Sequence, residues 1–591
     1  MTVKSLKRVL KFKYRAGALA LALCLFAAGC QTGGGQESEA SAETSQESEA
    51  PGEAASGETA PEEQLSAGVV QLSDMFDDED FEIGYDEDAS AQIVCSGTGA
   101  RCDSDAVEIS GTTITITDEG TYILSGTLDD GMVMVDAGDN DTVRLVLNGV
   151  SVSNAAGAAI YVREADKVFV TTAADTQNSL SNGGEYIAID DNNIDSVIFS
   201  KSDLILNGAG TLTIEAQAGH GVVSKDDLKI TSGSYKIQSA SHGLSGKDSV
   251  RIAGGSFVIS AGKDGIQAEN DEDAQLGFLY IADGSFAIDS VDDGVHSNAD
   301  VTVSGGSFQI ASGDDGFHAD GSLTVTAGTI LITQSYEGLE GLTIDITGGE
   351  IQLVSDDDGL NAAGGNDESG FGGFGGGRGG MDSFDTDSDA YIQISGGSLI
   401  VDASGDGIDS NGSLTISGGE VYISGPDSGA DAALDYGLEA VVTGGVVIAA
   451  GASQMTENFG TSSTQGAMLA VVEQQEAGSE IRLLEEGGSY TLVTGSAETE
   501  VTMDSLIYSS GQAGGINGFG GGMNPGRGGG PGGAGGMERP EGETGSAPED
   551  LPEGEVEPPD WNGETAPQDG TDNGSGSDAD ATDPGKAAEA L

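Results

Sequence analysis

Residues 301–359 read VTVSGGSFQIASGDDGFHADGS, then LTVTAGTILITQSYEGLEG, then LTIDITGGEIQLVSDDDG. Each unit has a β-rich segment, a Gly-containing turn, a second β-rich segment and an acidic residue followed by Gly. Following that Gly gives Gly221, Gly243, Gly265, Gly294, Gly316, Gly338, Gly359, Gly407 and Gly437, with steps of 22, 22, 29, 22, 22, 21, 48 and 30. A period near 22 with occasional insertions marks a solenoid, in which each unit covers its neighbour's apolar face.

Side chains two apart along a strand face the same way, so the apolar columns are readable. One is Leu228, Val250, Leu279, Val301, Leu323, Ile344 and Leu414. A second is Tyr235, Phe257, Phe286, Phe308, Ile330, Ile351, Leu399 and Val421. A third follows the tracked Gly: Val222, Leu244, Ile266, Val295, Phe317, Leu339, Leu360, Ile408 and Leu438. Three columns per unit imply three short strands per coil, an all-β parallel β-helix of about 22 residues per coil. A helical solenoid is excluded, because Gly, Ser, Thr and β-branched residues dominate and no apolar set recurs at helical spacing.

Segment boundaries follow from composition. Residues 1–30 read as a signal peptide, with Lys4, Lys7, Arg8, Lys11, Lys13 and Arg15 before the apolar run 16–28. Ala27-Ala28-Gly29-Cys30 resembles a lipobox, which makes Cys30 the lipidated first residue and places the protein on the extracellular face of the cell membrane, held only by that anchor. Residues 31–64 carry only Glu as charge and predict a disordered tether. Irregular coils and a cap are expected over 65–206, the regular helix over 207–450 and cap strands over 451–510. Insertions interrupt the period at Asn270–Gln275, Gly364–Asp389 and Pro426–Asp435. Residues 511–591 are Gly, Pro and acids, a disordered composition. Cys95 and Cys102 remain in the exported chain and predict a small loop disulfide, with a two-thiol metal site as the alternative.

With 22 basic and 99 acidic residues the formal net charge is −77, which excludes nucleic acid and anionic surfaces as partners unless cations intervene. The acids concentrate on the tracked Gly. Before it stand His220, His242, Asp264, Asp293, Asp315, Glu337, Asp358, Asp406 and Tyr436; two residues after it stand Val223, Ser245, Gln267, His296, His318, Glu340, Asn361, Asp409 and Glu439. All four histidines fall in these two columns, and the second column is expected to face solvent.

Coils stack at about 4.8 Å. Carboxylates at that spacing repel by roughly 1 kcal/mol in water and roughly 3–4 kcal/mol at an effective dielectric near 20. A bound cation is the natural remedy, and oxygen-only ligands favour calcium over zinc. The candidate ligands are Asp264, Asp292, Asp293, Asp314, Asp315, Glu337, Glu340, Asp357, Asp358, Asp406 and Asp409. An Asp-Gly turn, with Gly at positive φ, is the structural alternative for any one site. For His296 and His318 a stacked surface ladder is favoured over a zinc pair.

The order of GTYILSGTL (120–128), LVLNGVSV (145–152), SKSDLILNGAGTLTI (200–214), SKDDLKITSG (224–233), DSVRIAGGSFVISAGKDGIQAEN (248–270) and the repeated GG-S-x-x-I…DG units resembles the carbohydrate-binding domain-containing proteins of bacterial cell surfaces. That resemblance implies a right-handed parallel β-helix like that of pectate lyases, calcium among the coils, and binding of cellulose-like or acidic, pectin-like polysaccharide. His220 and His242 depart from it where later coils carry acid.

A calcium-loaded polysaccharide-binding lipoprotein is the leading expectation. A hydrolase or lyase for acidic glycans, or a structural adhesin or spacer, are the alternatives. A lyase of the pectate type needs a positioned base, and after Lys263 the next basic residue is Arg378. The lone Trp, Trp561, lies in the tail, which leaves Tyr336, Tyr391, Tyr422 and Tyr436 as sugar-stacking candidates.

Overall fold

The computed structural model describes residues 70–363, 389–426, 431–476, 480–485, 488–493 and 502–510. The signal segment with Cys30, the tether 31–64, nearly all of the Gly-rich insertion and the tail 511–591 lie outside the described residues.

Alternation of β-branched or aromatic residues with Ser, Thr and Gly produces short strands, which stack in three parallel columns. In the first stack Val222 pairs with Leu244, and the ladder continues through Ile266, Val295, Phe317, Leu339 and Leu360. In the second, Leu228 pairs with Val250, followed by Leu279, Val301, Leu323 and Ile344. Ile392 and Leu414 then continue it, so Ile392 fills the coil that the sequence column skipped. The third stack runs from Tyr235 through Phe257, Phe286, Phe308, Ile330, Ile351 and Leu399 to Val421. The chain is therefore an all-β solenoid with one long, mostly parallel sheet, and these columns form its buried core.

Like residues meet like across coils. Phe257 and Phe286 stack at 4.8 Å and Phe286 and Phe308 at 4.5 Å, with interplanar angles of 1° and 4°. Each such pair adds about 0.5–1.5 kcal/mol beyond the area it buries. Both ends of the described solenoid use antiparallel pairing. Val107–Ser110 folds on Thr113–Ile116 at the start, and Thr502–Ser510 runs antiparallel to Val446–Gly451 and Ala467–Glu476 at the end.

Three expectations need correction. First, the tracked Gly lacks positive φ; its role is close approach. A Cβ on Gly294 would lie 2.6 Å from the Gly316 carbonyl oxygen and 2.6 Å from Ile310 Cγ2. Positive φ belongs instead to the turn glycines before the third stack, such as Gly255 at 130°. Second, the column ends at Ala433 and not at Gly437. Gly407 donates to the Ala432 carbonyl and Asp409 pairs with Asp435. Leu434 is accordingly buried, whereas Leu438 is 51 % exposed. The loop after Pro426 is thus shorter than the sequence suggested.

Third, Cys95 and Cys102 are free thiols. Cys95 pairs with Ala100, so Cys102 sits diagonally across the ladder. Diagonal neighbours are about 7–8 Å apart, beyond the usual 4.4–6.8 Å Cα separation of a disulfide.

Gly294→Ala is expected to destabilise the protein by roughly 1–3 kcal/mol through overpacking. Gly84→Ala, which meets nothing within 4 Å, serves as the neutral control in the same thermal melt.

Candidate metal and glycan site

The first stack carries both polar columns. Its strands bring the residue before each tracked Gly to one corner, and the residue two after it to the adjoining outer face. Gln267, His296, His318, Glu340, Asn361 and Asp409 are in register there. This outer column leaves the apolar core but is not open to water as expected: Glu340 is 0 % exposed and Asn361 5 %. Neighbours one strand-spacing away shield one another.

Each acid of the corner column is satisfied first by the next coil. The Asp293 N–H donates to Asp264 Oδ1 at 3.3 Å, the Asp315 N–H to Asp293 Oδ1 at 2.9 Å and the Glu337 N–H to Asp315 Oδ1 at 3.1 Å. The Asp406 N–H bonds Asp358 Oδ1 at 2.6 Å, and the Ala432 N–H bonds Asp406 Oδ1.

Histidine supplies counter-charge in the earlier coils. His242 Nδ1 lies 2.8 Å from Asp264 Oδ2, His296 Nδ1 2.8 Å from Asp293 Oδ2, and His318 Nδ1 3.0 Å from Asp315 Oδ2 while also meeting Glu340. Burial alone would raise Asp264, but the His242 contact holds it below the usual carboxylate range. Burial opposes protonation of His296 and His318, yet their carboxylate partners push both upward. His220, buried beside His242, is pushed down to about 3 and is neutral. The rings stack, His220 on His242 at 4.8 Å and His296 on His318 at 4.9 Å with a 19° tilt. Nearly parallel rings aim their nitrogens in parallel, so the ladder geometry suits ion pairing better than a shared zinc ion.

Two all-oxygen groups also form, the first sharing Asp293 with the histidine ladder. Asp292, Asp293 and Asp314 bring carboxylate oxygens within 4.8 Å of one another, as do Asp358, Asp406 and Asp409. The first group borders an open groove of about 360 Å³, also lined by Lys263, Gln267 and Glu269. In the second, burial and then the charges of Asp406, Asp409 and Asp357 raise Asp358 well above its ordinary value. Asp406 is pushed up to about 8 by burial, aided by Asp409, Asp435 and Asp431. Asp315 is likewise pushed up to about 8, chiefly by burial. Of the other sequence candidates, Asp264, Glu337 and Glu340 are placed against His242, Asn361 and His318, with Asn361 Nδ2 donating to Glu337 Oε1 at 3.0 Å.

The tyrosines do not form one platform. Tyr391 lies on the second stack with its hydroxyl donating to Asp345 at 2.9 Å, Tyr422 on the third and Tyr436 on the first.

Residues 110–369 match the model of the carbohydrate-binding domain-containing protein family. A carbohydrate-binding domain-containing protein of Acetivibrio thermocellus is 34 % identical over 155 residues, which are 26 % of this chain. Residues 110–369 of the chain are thus similar to this family. The chain spans 54 % of that curated relative's length. A solved structure titled as a polysaccharide lyase-like protein from C. thermocellum, a gadolinium derivative, is 33 % identical; the match covers 40 % of this chain and 96 % of that one, with a TM-score of 0.39.

The raised groups give a signed pH dependence in chelator. Asp406 keeps a proton in the folded state that the unfolded chain loses near pH 4, so stability falls as pH rises from about 4 to about 8, and the raised Asp358 acts in the same direction. The His296 and His318 pairs act in the same direction, stabilising fully below about 6.5 and losing that contribution as pH climbs through their raised values. The melting temperature in chelator should therefore decline steadily from pH 5 to pH 9; a flat or rising profile would contradict the assignment.

Proposed function

We propose that this chain is a non-catalytic, calcium-loaded polysaccharide-binding lipoprotein displayed on the cell surface, taking cellulose-like or acidic, pectin-like glycans. The similarity to the carbohydrate-binding domain-containing family supports polysaccharide as the partner. The observation that carries the calcium reading is the group Asp358, Asp406 and Asp409, three carboxylates whose oxygens converge within 4.8 Å where burial opposes the ionisation of Asp358 and Asp406.

Hard oxygen donors in that number fit calcium, with Asp292, Asp293 and Asp314 as a second set at the groove. Bound there, calcium would supply positive charge that stabilises the ionised carboxylates and attracts uronate groups, which this acidic chain otherwise repels. The protein's own part is to fix the carboxylates through next-coil amides and to present a long face parallel to an extended sugar chain.

A structural spacer is the second reading, favoured by the backbone N–H bonds that already satisfy one oxygen of Asp264, Asp293, Asp315, Asp358 and Asp406. The two are separable. The full chain should be retained by polygalacturonate or cellulose without generating reducing or unsaturated ends, and retention on polygalacturonate should fall in chelator. Product formation would make it an enzyme; no retention on either glycan would leave the spacer.

Asp406→Asn keeps an oxygen for the Ala432 amide while removing the buried charge. In chelator at pH 8 it should raise stability by on the order of a kcal/mol, and it should shrink the calcium-induced rise in melting temperature. Asp293→Ala should instead lower stability by about 1–3 kcal/mol even in chelator, because the buried Asp315 amide loses its acceptor.

A further inference from the structure

Residues 70–85 precede the first coil and lie across the outside of the second stack. They run along the solenoid axis against the chain order of the coils. The Met75 carbonyl accepts from Arg251 Nη1 at 3.2 Å, and the Asp80 carbonyl accepts from Thr231 Oγ1 at 2.8 Å and Asn207 Nδ2 at 3.1 Å. The Glu82 carbonyl accepts from Arg144 Nη1 at 2.8 Å, and Tyr85 packs on Ile123 and Val146. Asp80 is fully buried, with Lys167 Nζ at 3.4 Å and Lys229 Nζ at 3.8 Å. Lys167 also reaches Asp77 and Glu79 at 3.8 and 4.0 Å.

The covered face has the chemistry of a ligand track. In a chain of 99 acidic residues it gathers Arg144, Lys167, Lys229 and Arg251 on four of five consecutive coils, the coil between Lys167 and Lys229 presenting Asp203 and Ile205 instead. Aromatic rings lie among them: Arg144 sits 4.1 Å over the Phe169 ring and Arg251 5.1 Å over the Phe278 ring, while Phe76 of the segment packs against Tyr280 at 6.5 Å. Two acids belong to the face itself: Asp203, in register with Lys167, and Asp227, which shares Lys229 and Arg251 at 3.8 and 3.1 Å. Toward the segment the face offers guanidinium, ammonium, amide and hydroxyl donors. The segment answers with carbonyl and carboxylate acceptors on an extended, acidic chain. Spaced carboxylates and oxygens on a linear polymer are also what a polyuronate presents, and planar guanidinium groups suit carboxylate recognition.

We propose that this face, from Arg144 to Arg251, is a binding track for an acidic polysaccharide, and that residues 75–85 are a displaceable mask occupying it. The track is distinct from the carboxylate columns and works without calcium; it shares with the proposed function only the ligand class. Competition is then built into the chain: polyuronate binds the track only by lifting the mask.

The test uses the full chain in chelator, which silences any calcium-dependent binding at the carboxylate columns. Phe76→Ala with Asp80→Ala should raise retention on polygalacturonate roughly tenfold, with retention falling in high salt and binding to cellulose unchanged. Adding Lys229→Ala and Arg251→Ala should cancel the gain. A double variant that melts cooperatively and shows no gain overturns the proposal. Should that variant fail to fold, the unmodified protein decides. Polygalacturonate should accelerate chymotryptic cleavage at Phe76, Phe81 or Tyr85, whereas cellulose should not. Unchanged cleavage with polygalacturonate overturns the mask. Because both arms run in chelator, calcium-dependent binding can fail or hold independently of this result.

Discussion

The parallel ladder sets each coil one strand-spacing above the last, and the rest of the structure answers to that constraint. Register places equivalent residues directly over one another, so whatever a position carries is repeated at about 4.8 Å. For apolar residues the repetition is favourable. Phe257, Phe286 and Phe308 stack as a ladder, and Leu228, Val250 and Leu279 fill one another's gaps. For backbone it is demanding. At Gly294 the next coil's carbonyl and the Ile310 methyl leave no room for a Cβ, which is why glycine recurs there.

For charge the same repetition is adverse, and the protein meets it differently along its length. Around Asp264, Asp293 and Asp315 the adjoining histidines reach the second carboxylate oxygen while the next coil's amide holds the first. At Glu337 an Asn361 amide does this work. From Asp358 to Asp409 the acids face one another, and burial raises Asp358 well above its ordinary value and Asp406 to about 8. Electrostatic compensation thus thins toward the C-terminal coils, and that is where a hard cation has most to offer. The opposite pole is the second stack, where cations cluster and an acidic segment of the same chain covers them. One solenoid therefore presents two faces of opposite sign, each with its charges largely met from within.

Much of this was legible in the sequence, for particular reasons. The columns beginning at Leu228, Tyr235 and Val222 could be read because strand alternation and coil period are both regular, and the third stack follows its expected column residue for residue. Reading failed where regularity did. After the Pro426 loop, Gly437 offered the familiar residue while Ala433 held the position, since the ladder pairs Asp409 with Asp435 whatever glycine follows. The cations beneath the mask do carry a signal in the sequence: Lys229 and Arg251 each stand between two inward-facing apolar residues, in DLKI and SVRI.

By itself the sequence determined the all-β class, the three apolar columns and the gathering of acids and histidines on one stack, because these depend only on spacing along the chain. Tertiary structure alone decided how the charges are met. Whether Asp264 faces a histidine, whether Glu340 is sealed from water, whether Cys95 can reach Cys102, and where residues 70–85 lie all depend on distances between residues far apart in sequence. Coulomb energy and desolvation vary with those distances and with burial, and neither quantity is written in a periodic pattern.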